Sequence, residues 1–243
     1  MNVAILFGRK NSKSIKNKNI LKIFSKEMFM YPLEAAKKTK LIDKIYVSSD
    51  SSYILKKAEQ KGCEKILRPK HLCDDKALLE DAIQHAVNYC QKKNFYKIKN
   101  FVILLCNSIC VRHQDIDKGF EILNKNKQFD TITTISKFNN FSPVRSKKIS
   151  GKKLLNYIPN KTLKKITPLS CDRDKSVHSF YCTQSFTISR SKILKRMKNN
   201  PFPFNWMGKK STYLFQDSCV GDIDFTWQLE ATKWWIKKNL KKN

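Results

Sequence analysis

The chain has 243 residues, with 49 Lys or Arg against 20 Asp or Glu, a formal charge of +29, and 41% hydrophobic and 11% aromatic residues. That length and apolar content exclude a disordered tail or a mini-protein and support a single domain over residues 1–243 carrying a small excursion. No apolar run approaches the roughly 18 residues of a membrane span, and MNVAILFGRK at the start lacks both a preceding cationic stretch and a following small-residue cleavage site, so a soluble cytoplasmic protein is expected.

In chain order, the first element is the apolar run VAILF (3–7), short enough for a buried parallel strand. A helical stretch follows around Tyr31–Lys40, then a strand, KIYVSS (44–49), and a helix over Asp50–Lys61. Asp50, Ser51 and Ser52 are cap candidates for that helix and Gly62 is its stop. Asp81–Lys93 places Ala82, Ile83, Ala86, Val87 and Tyr89/Cys90 on one helical face; NFVILLC (100–106) is a third strand, Asp115–Lys125 a helix and Thr131–Ser136 a strand. Strands alternating with helices at this spacing predict βαβ units, hence an α/β fold with a Rossmann-like open, mostly parallel sheet flanked by helices. Its ligand belongs at the carboxyl ends of the strands.

Residues 138–180 break the rhythm: they are rich in Lys, Asn and Ser, carry Pro143, Gly151, Pro159 and Pro168, and fit a loop-and-hairpin excursion. The chain returns with SFTISR (185–190) as a strand, the aromatic NPFPFNWMG (200–208), VGDID (220–224) as a short strand, and a closing helix over Thr226–Lys241 whose Trp227, Trp234 and Trp235 are read as core packing. The eight cysteines contain no CxxC pair and only four His accompany them, so zinc spacing is absent and reduced, mostly buried thiols are expected.

A charge of +29 suggests a polyanionic partner. Only seven of the cations are Arg, however, and a chain so full of Lys, Asn, Ile and Phe is also what compositional drift yields. Nucleic acid is therefore not the favoured partner, and the Arg residues are the more informative cations, since the guanidinium fork suits phosphate or carboxylate. Directly after VAILF comes GRKNSKSIKNKNI (8–20), a basic, hydroxyl-bearing loop at a strand end, where a polyphosphate can be bound; it is neither GxxxxGK[ST] nor GxGxxG. Read alone, it is equally a solvated loop. In VGDID, Asp222 and Asp224 alternate as i and i+2 on a strand, so that their carboxylates converge, and converging carboxylates suit a hard cation such as Mg²⁺.

The loop GRKNSKSIKNKNI resembles the opening signature ARGGSKGIPxKNI of the acylneuraminate cytidylyltransferases, relatives of the 3-deoxy-manno-octulosonate cytidylyltransferases; Arg9, Ser12, Lys13, Ile15, Lys18, Asn19 and Ile20 match without a gap. VSSDS (47–51) resembles VSTDS, LRPKHLCDD (67–75) resembles LRPxxLAxD, LLCNSICVR (104–112) is similar to LLQPTSPLR, and GDIDFTWQLE (221–230) to IDIDTxxDxE. The resemblance implies transfer of a nucleotide from CTP to a sugar oxygen, forming an activated nucleotide sugar such as a CMP-acylneuraminate for surface glycans, with release of pyrophosphate. It implies that Arg9, Lys13 and Lys18 are the catalytic cations and that Gly8, Arg9, Ser12, Lys13, Lys18, Asn19 and Arg68 bind the nucleotide. Cys106, Arg112 and Arg173 are the expected sugar contacts, Asp222 and Asp224 the Mg²⁺ ligands, and a homodimer using 138–180 the expected assembly.

The departures concern the substrate more than the reaction. Lys10, Asn11 and Ser14 replace glycines of the signature, Lys16 a proline, Cys106 a glutamine that contacts the sugar, Leu79 a serine near the base, TQSFT (183–187) an NGAIY-type segment, and Gln228 an acidic residue. They leave open a guanylyltransferase-like enzyme taking GTP and a sugar phosphate, or a silent or nucleic-acid-binding scaffold on the same fold.

Overall fold

The computed structural model describes residues 1–12, 14–137, 142–167, 172, 175 and 177–240. Two strand-forming signals organise it: fully apolar runs in the middle of the sheet and shorter, mixed runs at its edges. In chain order the elements are β1 (Asn2–Phe7), β2 (Lys22–Ile23), β3 (Lys26–Glu27), α1 (Met30–Lys38), β4 (Lys44–Ser49), α2 (Ser52–Gln60), β5 (Glu64–Leu67), α3 (Leu79–Lys93), β6 (Asn100–Leu105), α4 (His113–Lys125) and β7 (Thr131–Lys137). There follow β8 (Lys147–Ser150), β9 (Lys153–Asn156), α5 (Asn160–Ile166), β10 (Phe180–Arg190), α6 (Ser191–Leu194), β11 (Ser211–Phe215) and α7 (Thr226–Asn239).

The main sheet runs β11-β7-β10-β6-β1-β4-β5, with β10 antiparallel to both of its neighbours and every other pairing parallel. The predicted open, mostly parallel sheet is therefore present, with β10 as its antiparallel member. β1 lies inside the sheet, between β6 and β4, because NVAILF can be buried on both faces. Its side chains alternate between two layers. Val3, Ile5 and Phe7 join Ile83, Val87 and Phe101 beneath α3, whereas Ala4 and Leu6 join Leu33, Ile54 and Phe120 beneath α1, α2 and α4.

From β1 the chain builds outward through β4 and β5, then crosses to the other side of β1 to lay down β6. That reversal opens a crevice at the carboxyl ends of β1 and β6. The register sets Phe7 beside both Ser48 and Leu105, so the loops leaving β1, β4 and β6 start at one level.

A third cluster is made of Ile23, Met28, Tyr31, Ile109, Cys110, Cys219, Ile223, Trp235 and Ile236. It presses α7 and the segment before it against the start of the chain and the segment after β6.

Helix α2 ends as its sequence predicts: Ser51 caps it, its hydroxyl accepting from the Ile54 amide at 3.4 Å, and Gly62 turns out at φ +75°. The excursion contains the hairpin β8–β9 and α5, with Ile149, Leu154 and Tyr157 exposed. The strands β5 and β11, both at sheet edges and both interrupted by charged or polar residues, were not predicted, nor was the small β2–β3 ribbon. SFTISR is the last part of a strand that begins at Phe180 and bulges between Cys182 and Thr187, where Gln184 is left-handed.

Two expectations are corrected. VGDID is not a strand: residues 220–224 form the loop between β11 and α7. The tryptophans of α7 are not all core, because neighbours on a helix are about 100° apart and cannot share one buried stripe. Trp235 is 2% exposed, whereas Trp227 and Trp234 are 53% and 51% exposed and the Lys238 ammonium lies over the Trp234 ring. The described cysteines are free, and Cys63, Cys90, Cys106, Cys110 and Cys219 are buried. Among the described residues no helix is long and apolar enough to cross a membrane.

Truncating Trp235 to Ala removes the largest buried side chain of the closing helix. Urea unfolding should show a loss of about 3–5 kcal/mol. Trp234→Ala, on the exposed side of the same turn, should change stability by less than about 1 kcal/mol.

Candidate active site

The crevice above β1 and β6 is a cleft of about 510 Å³. Its floor is Phe7, Gly8 and Leu105; one wall is the loop after β1, another the segment from Arg68 to Leu79, and a third the loop before α7 with Asp222, Asp224 and Phe225.

Gly8 is required by the floor. The ladder runs one residue beyond the strands, through Gly8 N–H to Ser48 O at 3.2 Å and Cys106 N–H to Phe7 O at 2.9 Å. A Cβ on Gly8 would stand 2.3 Å from Cys106 Sγ and 2.9 Å from its Cβ. Cys106 is fully buried, and burial pushes its thiol up to about 12. The contact with sugar expected of Cys106 is therefore corrected. Cys106 continues the inward face of Val102 and Leu104, while Leu105 and Asn107, of the other parity, line the cleft.

The loop after β1 folds back on itself. Asn17 takes a left-handed conformation and Lys18–Ile20 form a 3₁₀ turn. Asn19 then ties the loop's end to its beginning: its side-chain nitrogen donates to Arg9 O at 2.8 Å while its backbone carbonyl accepts from Phe29 N–H at 3.1 Å. Asn11, Ser12 and Ser14 face the cleft; Lys13 lies outside the described residues.

The buried Lys18 ammonium reaches across the cleft to Asp224 Oδ1 at 2.5 Å. Asp224 is about half exposed, whereas its neighbour Asp222 is held further in. Burial, followed by the charge of Asp224, raises the Asp222 pKa from the ordinary carboxylate range; Lys18 and a hydrogen bond from Asn107 offset part of this. Both residues line the cleft and the charge of Asp224 is felt at Asp222, although they stand on a loop and not on a strand.

Arg68 is 6% exposed. Its guanidinium donates to Ser48 O at 2.9 Å and Ser48 Oγ at 3.3 Å and lies 6.0 Å from the centre of the Phe7 ring. Burial lowers its pKa, yet Arg stays charged in proteins. It thus presents a fixed cation at the back of the cleft. Arg9, at the mouth, donates to Asp74 O at 3.1 Å and stands 3.6 Å from the Asp75 carboxylate.

Arg112 is not brought to this cleft. It makes a two-pronged ion pair with Asp115, at 2.7 and 2.9 Å, at a separate groove beside Tyr31 and Lys38. Its expected role as a sugar contact is corrected on that ground, while Arg173 lies outside the described residues. Residues not anticipated in the site include Asn107, Leu72, Leu78 and Phe225. The alternation of Leu105 with Asn107 was a usable signal for the first; the others carry none.

The arrangement places fixed cations and hydroxyls on one side and a carboxylate pair on the other, around a space of nucleotide size. Against known proteins, a family model described as cytidylyltransferase matches residues 3–148. The pseudaminic acid cytidylyltransferase and UDP-2,4-diacetamido-2,4,6-trideoxy-beta-L-altropyranose hydrolase of Helicobacter pylori is 36% identical over 148 residues, 59% of this chain; the chain spans only 27% of that protein's length. The post-translational flagellin modification protein B of Campylobacter coli is 27% identical over 247 residues, 96% of this chain and 94% of that protein. The solved structure of a CMP:2-keto-3-deoxy-manno-octonic acid synthetase, complexed with CTP, superposes with a TM-score of 0.69 at 13% identity over 98% of both chains, a likeness of fold.

Two substitutions check the site's physical basis. Gly8→Ala should lower activity and stability together, because the methyl group collides with a packed side chain rather than with solvent. Asp222→Asn removes a repelling, partly buried charge. It should raise the thermal midpoint of the ligand-free protein at pH 7 by about 2–4 °C, the equivalent of about 1 kcal/mol at this size.

Proposed function

Starting from the membership of this chain in the cytidylyltransferase family, we propose that it transfers CMP from CTP to an acidic sugar of the pseudaminate or acylneuraminate type. In this reaction a sugar hydroxyl oxygen attacks the α-phosphorus of CTP, the bond to the β-phosphate oxygen breaks, pyrophosphate leaves and the hydroxyl proton is released. The observation that carries this reading is the Lys18–Asp224 contact, which brings the phosphate-type loop and the carboxylate pair to one cleft.

Nucleotidyl transfer is catalysed mainly by positioning and by neutralising charge. Arg9, Ser12, Lys13 and Lys18 hold the triphosphate, the three cations stabilising the departing pyrophosphate. Gly8 lets the backbone lie close beneath it. Asn19 keeps the loop folded, and Arg68, with its guanidinium braced on Ser48, fixes the nucleotide from the back of the cleft. No protein nucleophile is needed, and the buried thiol of Cys106 is not one.

Asp222 and Asp224 fit a hard divalent cation. They are converging oxygen donors, Asp222 is held in a partly buried position against a like charge, and Mg²⁺ is commonly bound by one or two carboxylates together with substrate phosphates. Asp222 and Asp224 would hold such a cation, which would supply charge neutralisation for the transferred phosphate. The chain's own part is to hold both carboxylates at the cleft.

Several features support CTP. The H. pylori relative is named for cytidylyl transfer and the structural relative is a CMP-sugar synthetase complexed with CTP. None of the relatives described above is named for guanylyl transfer, so the GTP and sugar-phosphate reading has no comparable support. The CTP reading takes the protein to work in the cytoplasm, where CTP is available. The same reading treats residues 1–243 as one nucleotidyltransferase unit. It works as a homodimer through the 138–180 excursion, whose hairpin exposes Ile149 and Leu154 at 81% and 68%.

Incubation with Mg²⁺, each of the four nucleoside triphosphates and candidate sugars, with coupled detection of pyrophosphate, tests the reaction. Turnover is expected with CTP and a 2-keto sugar acid; turnover with GTP and a sugar 1-phosphate overturns the reading. Asp222→Ala and Asp224→Ala should each lower kcat by a factor of order 10²–10³ while leaving the protein folded. Ile149→Asp combined with Leu154→Asp should convert the dimer to monomer in light scattering.

A further inference from the structure

The loop that carries the carboxylate pair has no ladder to satisfy its backbone, and buried polar backbone groups require partners. Asn107 and Gln228 take that role. Ile223 is held by Asn107: its N–H donates to the backbone carbonyl of Asn107 at 3.0 Å, and the Asn107 side-chain Nδ2 donates to Ile223 O at 3.5 Å. The other contacts belong to Gln228, on the first turn of α7 and 8% exposed. Its Oε1 accepts from Asp224 N–H and from Phe225 N–H, both at 2.7 Å, and its Nε2 donates to Asp222 O at 3.0 Å.

The direction of those bonds fixes the chemistry at position 228. Two backbone N–H groups demand an oxygen and one carbonyl demands a donor, so the carboxamide has a single orientation. A carboxylate there supplies the acceptor and not the donor. Phe225, at the residue preceding the helix, has no side-chain oxygen to satisfy the helix's first amides. Gln228 reaches back in its place, as the third helical residue does in one half of a capping box. The same amide group that starts the helix therefore bridges the carbonyl of Asp222 and the amide of Asp224, the two residues whose side chains converge.

We infer that Gln228 is a positioning residue for the Asp222–Asp224 pair, its carboxamide setting the spacing and direction of the two carboxylates and so their affinity for a divalent cation. The inference rests on the reading of that pair as the cation's ligands. Partners one bond removed from the metal typically change affinity 10- to 100-fold when lost, roughly. Gln228 differs from such partners in acting on the ligands' backbone rather than on their oxygens.

The test uses the full chain and Mn²⁺ alone, titrated by electron paramagnetic resonance, with Asp224→Asn as control. Gln228→Met keeps the length and deletes all three bonds; Gln228→Asn keeps the polarity and charge and falls one methylene short. Both are expected to weaken Mn²⁺ binding by about 10-fold or more. In turnover, both should raise the metal concentration giving half-maximal pyrophosphate release by a similar factor, with a smaller change in kcat. Helix capping alone would lower the thermal midpoint and leave the Mn²⁺ affinity of the folded protein unmoved. If Asp224→Asn weakens Mn²⁺ binding while either folded Gln228 variant stays within about twofold of wild type, a margin well inside the expected effect, this inference fails and the metal assignment stands. If Asp224→Asn itself binds Mn²⁺ like the wild type, the assignment fails and takes the inference with it.

Discussion

The contact between Lys18 and Asp224 is the constraint around which the site is organised. An ammonium removed from water needs a partner, since a buried, unpaired charge is costly. Here the partner stands 206 residues away in the chain. Satisfying Lys18 requires the loop after β1 and the loop before α7 to be at one place. They arrive there because the third hydrophobic cluster packs Ile23 and Met28, just beyond the first loop, with Ile223, Trp235 and Ile236. Apolar burial supplies the holding force, and the ion pair fixes where the two loops touch.

Because the pair spans the cleft, the empty protein already has its charges partly neutralised. Lys18 shields Asp224, Asn107 and Lys18 offset the repulsion on Asp222, and Arg9 rests on Asp74 and Asp75. On the reading proposed above, an incoming triphosphate and its cation would exchange partners with groups already in place. Such exchange limits the entropy lost on binding. It also accounts for two carboxylates retained at a position where their mutual repulsion costs stability.

Much of this was legible from residue order alone where the determinants are local. β1 is apolar throughout, α2 is bounded by Ser51 and Gly62, and the first loop carries a gapless signature. Parity at the end of β6 was half legible: alternation sets Leu105 and Asn107 on the side opposite Cys106, but which set faces the cleft depends on how far the ladder runs, and that is set by Phe7 and Ser48. Asp222 and Asp224 were found through an alternation that does not exist, since VGDID is a loop whose shape comes from Asn107 and Gln228. Arg112 could have been resolved locally, because Asp115 follows it at the helix start. The edge strand Glu64–Leu67 is short and opens on two charged residues, so it does not stand out from connecting segments, whereas Thr212, Tyr213, Leu214 and Phe215 of the other edge strand were a usable signal.

The order in which the cleft's parts occur along the chain has a consequence for biosynthesis. Its floor and cationic wall come from residues 1–107, which contain β1, β4, β5 and β6, a stretch of sheet with its own parallel pairings. Both carboxylates come much later in the chain, at positions 222 and 224, and they are locked in place when α7 docks. As chains emerge amino end first, a ribosome-bound or truncated product can display the phosphate-type loop without the groups opposite it. If the proposed reading holds, a chain cut short before α7 lacks what locks the carboxylate pair opposite that loop and is expected to be silent.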